Sequence, residues 1–142
     1  MIVLDTNVIS ALMAEDRNPV ISAWISKYDE RELYLTATSV AEMLFGISIL
    51  PEGRRRSRLS YSAALILDRF AERILPFGED AAIVYAGIAA ERRRLGLPIE
   101  TEDGQIAAIC RQHGATLATR NTKDFLHTGV TLIDPWTARD TP

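Results

Sequence analysis

The chain alternates between short apolar runs and longer stretches in which apolar residues recur at helical spacing. The first run, Ile2-Val3-Leu4, is apolar throughout, which is typical of a strand covered on both faces. Strands separated by one or two helices need crossover connections, which are right-handed and build a mostly parallel sheet. The alternation therefore predicts a single three-layer α/β/α domain over residues 1–142.

Four further apolar runs predict strands, and six stretches predict helices. The strands are expected at residues 33–36, 74–77, 116–119 and 130–133. The helices are expected at residues 8–13, 39–50, 59–70, 79–95 and 101–113, and from residue 18 onward. Pro76 shortens the second of these strands, because proline cannot donate to a sheet. The helix that begins at the predicted cap Asn18 is expected to bury Val20, Trp24 and Tyr28.

Composition narrows the class of protein. At 142 residues and 15.8 kDa the chain fits one domain, and its 47% apolar and 25% charged residues are typical of a globular protein. The longest charge-free stretches are too short to span a membrane, and the first residues lack the basic lead of a signal peptide. Because the single Cys110 cannot form an internal disulfide, we expect a cytoplasmic protein.

The charge balance bears on nucleic-acid binding. Sixteen Lys and Arg against 19 Asp and Glu give a net charge of −3, which excludes a broadly basic coat but allows a local patch. Residues 54–58, Arg-Arg-Arg-Ser-Arg, are interpreted equally well as an RNA-backbone contact or a solvated helix end. For the second basic run, Arg92-Arg93-Arg94, we favour a solvated helix C-terminus.

Acidic residues fall where a parallel sheet places ligands, outside the carboxyl ends of its strands. Asp5 directly follows the first strand, Asp124 follows the fourth, and Glu42 stands in the first turn of the helix after the second. These three acids are predicted to converge at one edge of the sheet. Asp103 stands in the first turn of the helix that precedes the fourth strand. We expect it at the opposite edge unless that helix bends over the sheet.

Each acid also has a structural interpretation. Ser39 and Glu42 fit a capping box, in which the glutamate bonds back to the helix start. Asp103 fits the positive end of a helix dipole, and Asp124 fits a turn or a helix cap. For Asp5 we favour a functional role, because it comes directly after a wholly apolar strand.

Carboxylates that meet in one pocket repel each other, and a metal ion is one way to relieve that repulsion. Oxygen-only ligands favour a hard cation, and Mg²⁺ or Mn²⁺ suits a site that keeps waters and accepts phosphate oxygens. Such an ion supports hydrolysis of phosphodiester bonds. The converging acids therefore predict a metal-dependent hydrolase.

Four sequence blocks carry a family resemblance. They are residues 5–10 (DTNVIS), 39–47 (SVAEMLFGI), 103–109 (DGQIAAI) and 119–125 (TRNTKDF). In this order and spacing, and with Pro135-Trp136 near the end, they resemble a PIN domain. More narrowly, the chain is similar to the VapC toxins of VapBC toxin–antitoxin pairs, in the FitB-like branch.

The resemblance implies a Mg²⁺- or Mn²⁺-dependent endoribonuclease. By motif position, its acidic quartet of catalytic and metal-binding residues comprises Asp5, Glu42, Asp103 and Asp124. The matching supporting polar positions are Thr6, Asn7, Thr119 and Asn121. The same resemblance implies an RNA substrate, inhibition by a cognate VapB- or FitA-like antitoxin, a homodimer, and a higher assembly on operator DNA.

Two other functions remain open at this point. The chain could be a non-catalytic corepressor that binds an antitoxin and helps it hold DNA, and that role can coexist with catalysis. A phosphatase or phosphotransferase of the haloacid dehalogenase type also begins with an aspartate at the end of a strand. That class needs a second aspartate two residues on, where this chain has Asn7.

Overall fold

The computed structural model describes residues 1–14, 16 and 18–138. Its strands are β1 (Ile2–Leu4), β2 (Leu33–Thr36), β3 (Ile74–Leu75), β4 (Thr116–Ala118) and β5 (Thr131–Ile133). Its α-helices are α1 (Thr6–Met13), α2 (Pro19–Ile25), α3 (Ala37–Ser48), α4 (Arg54–Arg69), α5 (Glu79–Arg94) and α6 (Thr101–His113). Two short 3-10 turns, Glu30–Glu32 and Thr122–Phe125, precede β2 and follow β4. Residues 139–142, which the sequence assigns to the same domain, lie outside the described residues.

The five strands form one sheet in the order β3-β2-β1-β4-β5, and every pairing is parallel. In the centre, Ile2 of β1 pairs with Leu33 of β2 on one side and with Thr116 of β4 on the other. The sheet confirms the predicted α/β/α class and is wholly rather than mostly parallel. The proline-limited strand β3 lies at an edge, where its missing donor is tolerated.

The alternation of side chains along the central strands explains why β1 is apolar throughout. Leu4 and Ala118 face one apolar cluster, which α1, α2, α3 and α4 cover. Val3 and Leu117, their chain neighbours, face a second cluster, which α5 and α6 cover. Because successive residues of a strand point to opposite faces, a sheet covered on both sides needs apolar residues at every position.

The prediction for α2 is wrong at one residue. Its start is as expected, since the Asn18 side chain accepts a hydrogen bond from the Val20 amide at 3.0 Å. Val20 itself is 48% exposed, however, and the buried residues are Ile21 and Trp24. These two lie three positions apart and share the inward face of the helix, whereas the residue after Pro19 faces solvent. Trp24 packs against Tyr28, as core residues do.

Within the part of the chain that the structure describes, no helix is both long and apolar enough to cross a membrane.

Candidate active site

Asp5 occupies the junction between β1 and α1, where it is almost fully buried. Its carboxylate accepts hydrogen bonds from the Thr6 amide at 2.8 Å, the Thr119 hydroxyl at 2.7 Å and the Asn7 amide group at 3.3 Å. Burial raises the pKa of Asp5, the bonds from Thr119 and Thr6 oppose that rise, and the charge of Asp124 adds to it. The carboxylate is therefore held in one orientation at the carboxyl end of the central strand.

A polar network joins the ends of β1 and β4 around this carboxylate. The Thr119 hydroxyl, which donates to Asp5, accepts from the Asn7 side chain at 3.3 Å and from the Asn121 amide at 3.1 Å. The Asn7 side-chain oxygen Oδ1 in turn accepts from the Arg120 backbone amide at 3.2 Å. The supporting residues predicted from the sequence thus touch the acid or one another. A haloacid dehalogenase would need an aspartate at position 7. Here Asn7 stands at that position, and its side chain donates a hydrogen bond to Asp5.

Glu42 reaches the site from the second turn of α3, because this helix begins earlier than predicted. Its N-cap is Thr36, whose hydroxyl accepts from the Ser39 amide at 3.0 Å. The capping box expected for Ser39 and Glu42 is therefore wrong, and the Glu42 carboxylate is left to accept a bond from the Thr6 hydroxyl at 3.0 Å. Burial raises the pKa of Glu42, and the charge of Asp5 adds to the rise.

Asp103 lies at the same edge of the sheet as the other acids, which corrects the position expected from the sequence. Helix α6 runs antiparallel to the strands, since only two residues separate its last residue from the start of β4. Its first turn therefore lies at the carboxyl edge, where the Thr38 hydroxyl, just after β2, donates to Gln105 at 3.0 Å. Burial, followed by the charges of Asp5, Asp124 and Glu42, raises the pKa of Asp103 to about 6.

The first turn of α6 packs closely against α5 through a glycine. A side chain at the buried Gly104 would place its Cβ atom 2.6 Å from the Tyr85 ring. The sequence suggests only that this glycine loosens the turn. In the structure, the absence of a side chain at Gly104 leaves room for the Tyr85 ring to pack beside Asp103.

Asp124 is held in the 3-10 turn that follows β4, and a residue that the sequence interpretation missed supports it. Arg92, in the last turn of α5, is only 6% exposed. Its guanidinium donates to the Asp124 carbonyl at 2.9 Å and the Leu126 carbonyl at 2.7 Å, and its Nε to the Leu97 carbonyl at 2.6 Å. The solvated helix end predicted for this residue is therefore wrong. The run of three arginines gave no signal to separate this one from its neighbours.

The charges of Asp5, Glu42, Asp103 and Asp124 thus influence one another at one edge of the sheet. The family model described as "PIN domain" matches residues 2–130. The chain belongs to the PIN domain family.

Two curated relatives match this PIN domain over nearly its whole length. The VapC ribonuclease Y4jK of Sinorhizobium fredii is 41% identical over 137 residues, which cover 96% of this chain and 98% of that protein. Toxin FitB of Neisseria gonorrhoeae is 40% identical over 140 residues, which cover 96% of this chain and 99% of that protein. Among solved structures, FitAB bound to an IR36 DNA fragment contains a chain with a TM-score of 0.90 and 39% identity, covering 99% of each chain.

The acids of this PIN domain fit a hard divalent cation by their donor chemistry. All four are carboxylates, and burial first and the charges of neighbouring acids second raise the pKa values of Asp5, Glu42 and Asp103. A cation would remove the repulsion between these charges, and oxygen-only donors suit Mg²⁺ or Mn²⁺. Among the described residues, no three Asp, Glu, His or Cys side chains lie close enough together, as they are placed, to hold a metal ion.

Proposed function

We propose that this PIN domain is a Mg²⁺- or Mn²⁺-dependent endoribonuclease toxin of a type II toxin–antitoxin pair. The observation that carries the proposal is the convergence of Asp5, Glu42, Asp103 and Asp124 at one edge of the sheet. A pocket that raises the pKa of three carboxylates costs stability, and binding of a cation would offset that cost. The names of the relatives, a VapC ribonuclease and a toxin, point to the same activity.

In this proposal Asp5 and Asp103 bind the metal directly, and Glu42 and Asp124 complete the site or position the attacking water. When bound, the ion would supply activation of water and stabilisation of the leaving oxygen. The hydrogen bonds from Thr119 and Asn7 orient Asp5 before any ligand arrives, which lowers the cost of assembling the site. With a pKa of about 6, the Asp103 carboxylate can hold a proton in mildly acidic solution when no cation is bound.

Cleavage of a pool of single-stranded and transfer RNA tests the activity. We expect cutting with Mg²⁺ or Mn²⁺, none with chelator, and none by the Asp5→Asn variant. The asparagine keeps the shape of the side chain and can still accept from Thr119, so the variant should fold. Unchanged cutting by Asp5→Asn would contradict the assignment of the site and indicate a contaminating nuclease.

We propose further that a VapB- or FitA-like antitoxin binds this chain, that the chain forms a homodimer, and that the pair assembles on operator DNA in the cytoplasm. The relative in the FitAB structure is seen on DNA, which favours such an assembly. Coexpressed antitoxin should suppress cleavage, and an undiminished rate in the complex would count against the toxin. A folded chain that binds antitoxin and DNA but cuts no RNA would instead support the corepressor.

A further inference from the structure

A cleft of about 410 Å³ runs from the acid pocket along α1, α3 and α4. Thr6 and Glu42 line one end, where they join the site described above. Arg55 and Arg58, in the first turns of α4, line the other. A continuous space therefore connects the Glu42 carboxylate to two guanidinium groups.

The two arginines differ in how firmly they are held. Arg58 is half-buried, and its guanidinium donates to the Met13 carbonyl at 3.3 Å, on the α1 wall of the cleft. Arg55 lies nearly one turn earlier and is exposed, so its guanidinium can reach a ligand in solution. Arg54, also exposed and directly beside it in the same helix, does not line the cleft. The structure thus distinguishes Arg55 and Arg58, which line the cleft, from Arg54, which does not, whereas the sequence offers no basis for this distinction.

The chemistry along the cleft matches a nucleic-acid strand. A carboxylate pocket repels a polyanion, so the substrate must be attracted by cations elsewhere, and guanidinium groups bind phosphate through paired hydrogen bonds. Between the two ends, Met43, Ile47 and Leu59 provide an apolar wall for a sugar or a base. The volume is in the range of a small-ligand site, so a short stretch of one strand fits in it.

We propose that this cleft binds single-stranded RNA next to the bond that is cut, with Arg55 and Arg58 contacting its phosphate groups. The inference rests on the proposed ribonuclease function and adds to it the path of the substrate. Each arginine neutralises about one phosphate, so both contribute to the dependence of affinity on salt. Arg58 forms the fixed side of the path and Arg55 closes over the strand from solution.

Binding of a short, end-labelled, random-sequence single-stranded RNA tests this path. The measurement uses full-length Asp5→Asn protein, so that the RNA is not cut, across a range of salt concentrations. Adding Arg55→Gln should weaken binding about three- to tenfold and lower the slope of log K against log salt by about 0.7. The matched control Arg54→Gln removes the same charge from the neighbouring position and should change the affinity less than twofold.

Arg58 needs a variant that keeps its charge, because it also bonds to the α1 backbone. Arg58→Gln should lower the salt slope as Arg55→Gln does, and Arg58→Lys should retain it. In otherwise wild-type protein, Arg55→Gln should raise KM for cleavage with little change in kcat. Melting temperatures of all variants establish that they fold.

Equal losses in Arg55→Gln and Arg54→Gln would overturn the path, since bulk charge alone would then explain the binding. Unchanged RNA binding with weakened copurification of the antitoxin would also overturn it and assign the cleft to a protein segment. If wild-type protein cuts RNA in either case, only the path is lost and the ribonuclease stands. If wild-type protein neither binds nor cuts RNA, the ribonuclease and the path both fall.

Discussion

The carboxylate pocket is partly buried and the apolar layer around Leu117 is fully buried, and burial has opposite effects on the two regions. In the layer, residues such as Leu117 and Ile106 lose all contact with water and thereby stabilise the fold. In the pocket, burial of Asp5 and Asp103 raises the pKa of each carboxyl group, so the charged forms weigh against folding. The carboxylates of the pocket thus lower the stability of the fold, and they place negative charge where a cation can bind.

The largest effect on stability is expected in the apolar layer. Leu117→Ala removes a fully buried side chain from the centre of β4 and leaves a cavity between the sheet and α6. The variant should lose about 2–5 kcal/mol in free energy of unfolding, measured by denaturant titration. Its activity per folded molecule should be unchanged. A loss below about 1 kcal/mol would show that this layer is not tightly packed.

Arg92 combines features of both regions. It is buried like the apolar layer, and it carries a charge that supports the pocket through its bond to Asp124. Arg92→Ala removes the donors to the carbonyls of Leu97, Asp124 and Leu126 and should cost about 2–3 kcal/mol. It should also lower kcat, because the turn that carries Asp124 loses its support. Arg93→Ala, an exposed neighbour in the same run, is the matched control. Equal effects of the two substitutions would contradict the assigned role.

In the pocket, a substitution is expected to have the opposite effect on the free energy of unfolding. Removal of a carboxylate charge there should stabilise the folded protein. In chelator at pH 7, Asp103→Asn should raise the free energy of unfolding by about 1–2 kcal/mol, after discounting for the half-exposed position. The folded-state pKa of about 6 lies above the ordinary aspartate value of 3.8, so wild-type stability falls as pH rises through that interval. Below about pH 3.5 both proteins carry a neutral side chain, and the difference should vanish.

Thermal unfolding of Asp103→Asn and wild-type protein from pH 3.5 to 8 measures this effect. Glu102→Gln, at the exposed position beside it, removes one charge without removing a buried one. It should show a smaller gain. If Asp103→Asn is less stable than wild-type protein at pH 7, the Asp103 carboxylate stabilises the fold, which contradicts the prediction.

Much of the fold could be predicted because its signals are local. The apolar runs define the strands, and Gly114, in a left-handed conformation with φ of 61°, ends α6 where the sequence predicts. Errors arose where two local signals compete. Thr36 and Ser39 are both good N-caps, and the structure uses the first, which moves Glu42 from the first turn to the second. For α2, the phase of the helix depends on which residues the core accepts, and this exposes Val20.

The site was harder to predict because it depends on the direction of helices in space. Asp103 joins the other acids only because α6 runs antiparallel to β4, a consequence of the crossover connection that the spacing argument overlooked. Arg92 and Arg55 belong to runs of arginine whose members are alike in sequence. Arg92 is distinguished by its bond to the turn after β4, and Arg55 by its place in the cleft along α1, and both of these are distant in sequence.

The most direct test of the account is a titration of thermal stability with Mg²⁺ and Mn²⁺, which needs no RNA. For wild-type protein at pH 7, either ion should raise the melting temperature progressively with its concentration. The added stability should be about 2.7 kcal/mol at 100 times the dissociation constant. Asp103→Asn should lose most of that shift, and Glu102→Gln should keep it. No shift in wild-type protein, or equal shifts in wild-type and Asp103→Asn, would contradict the claim that these acids form a cation site.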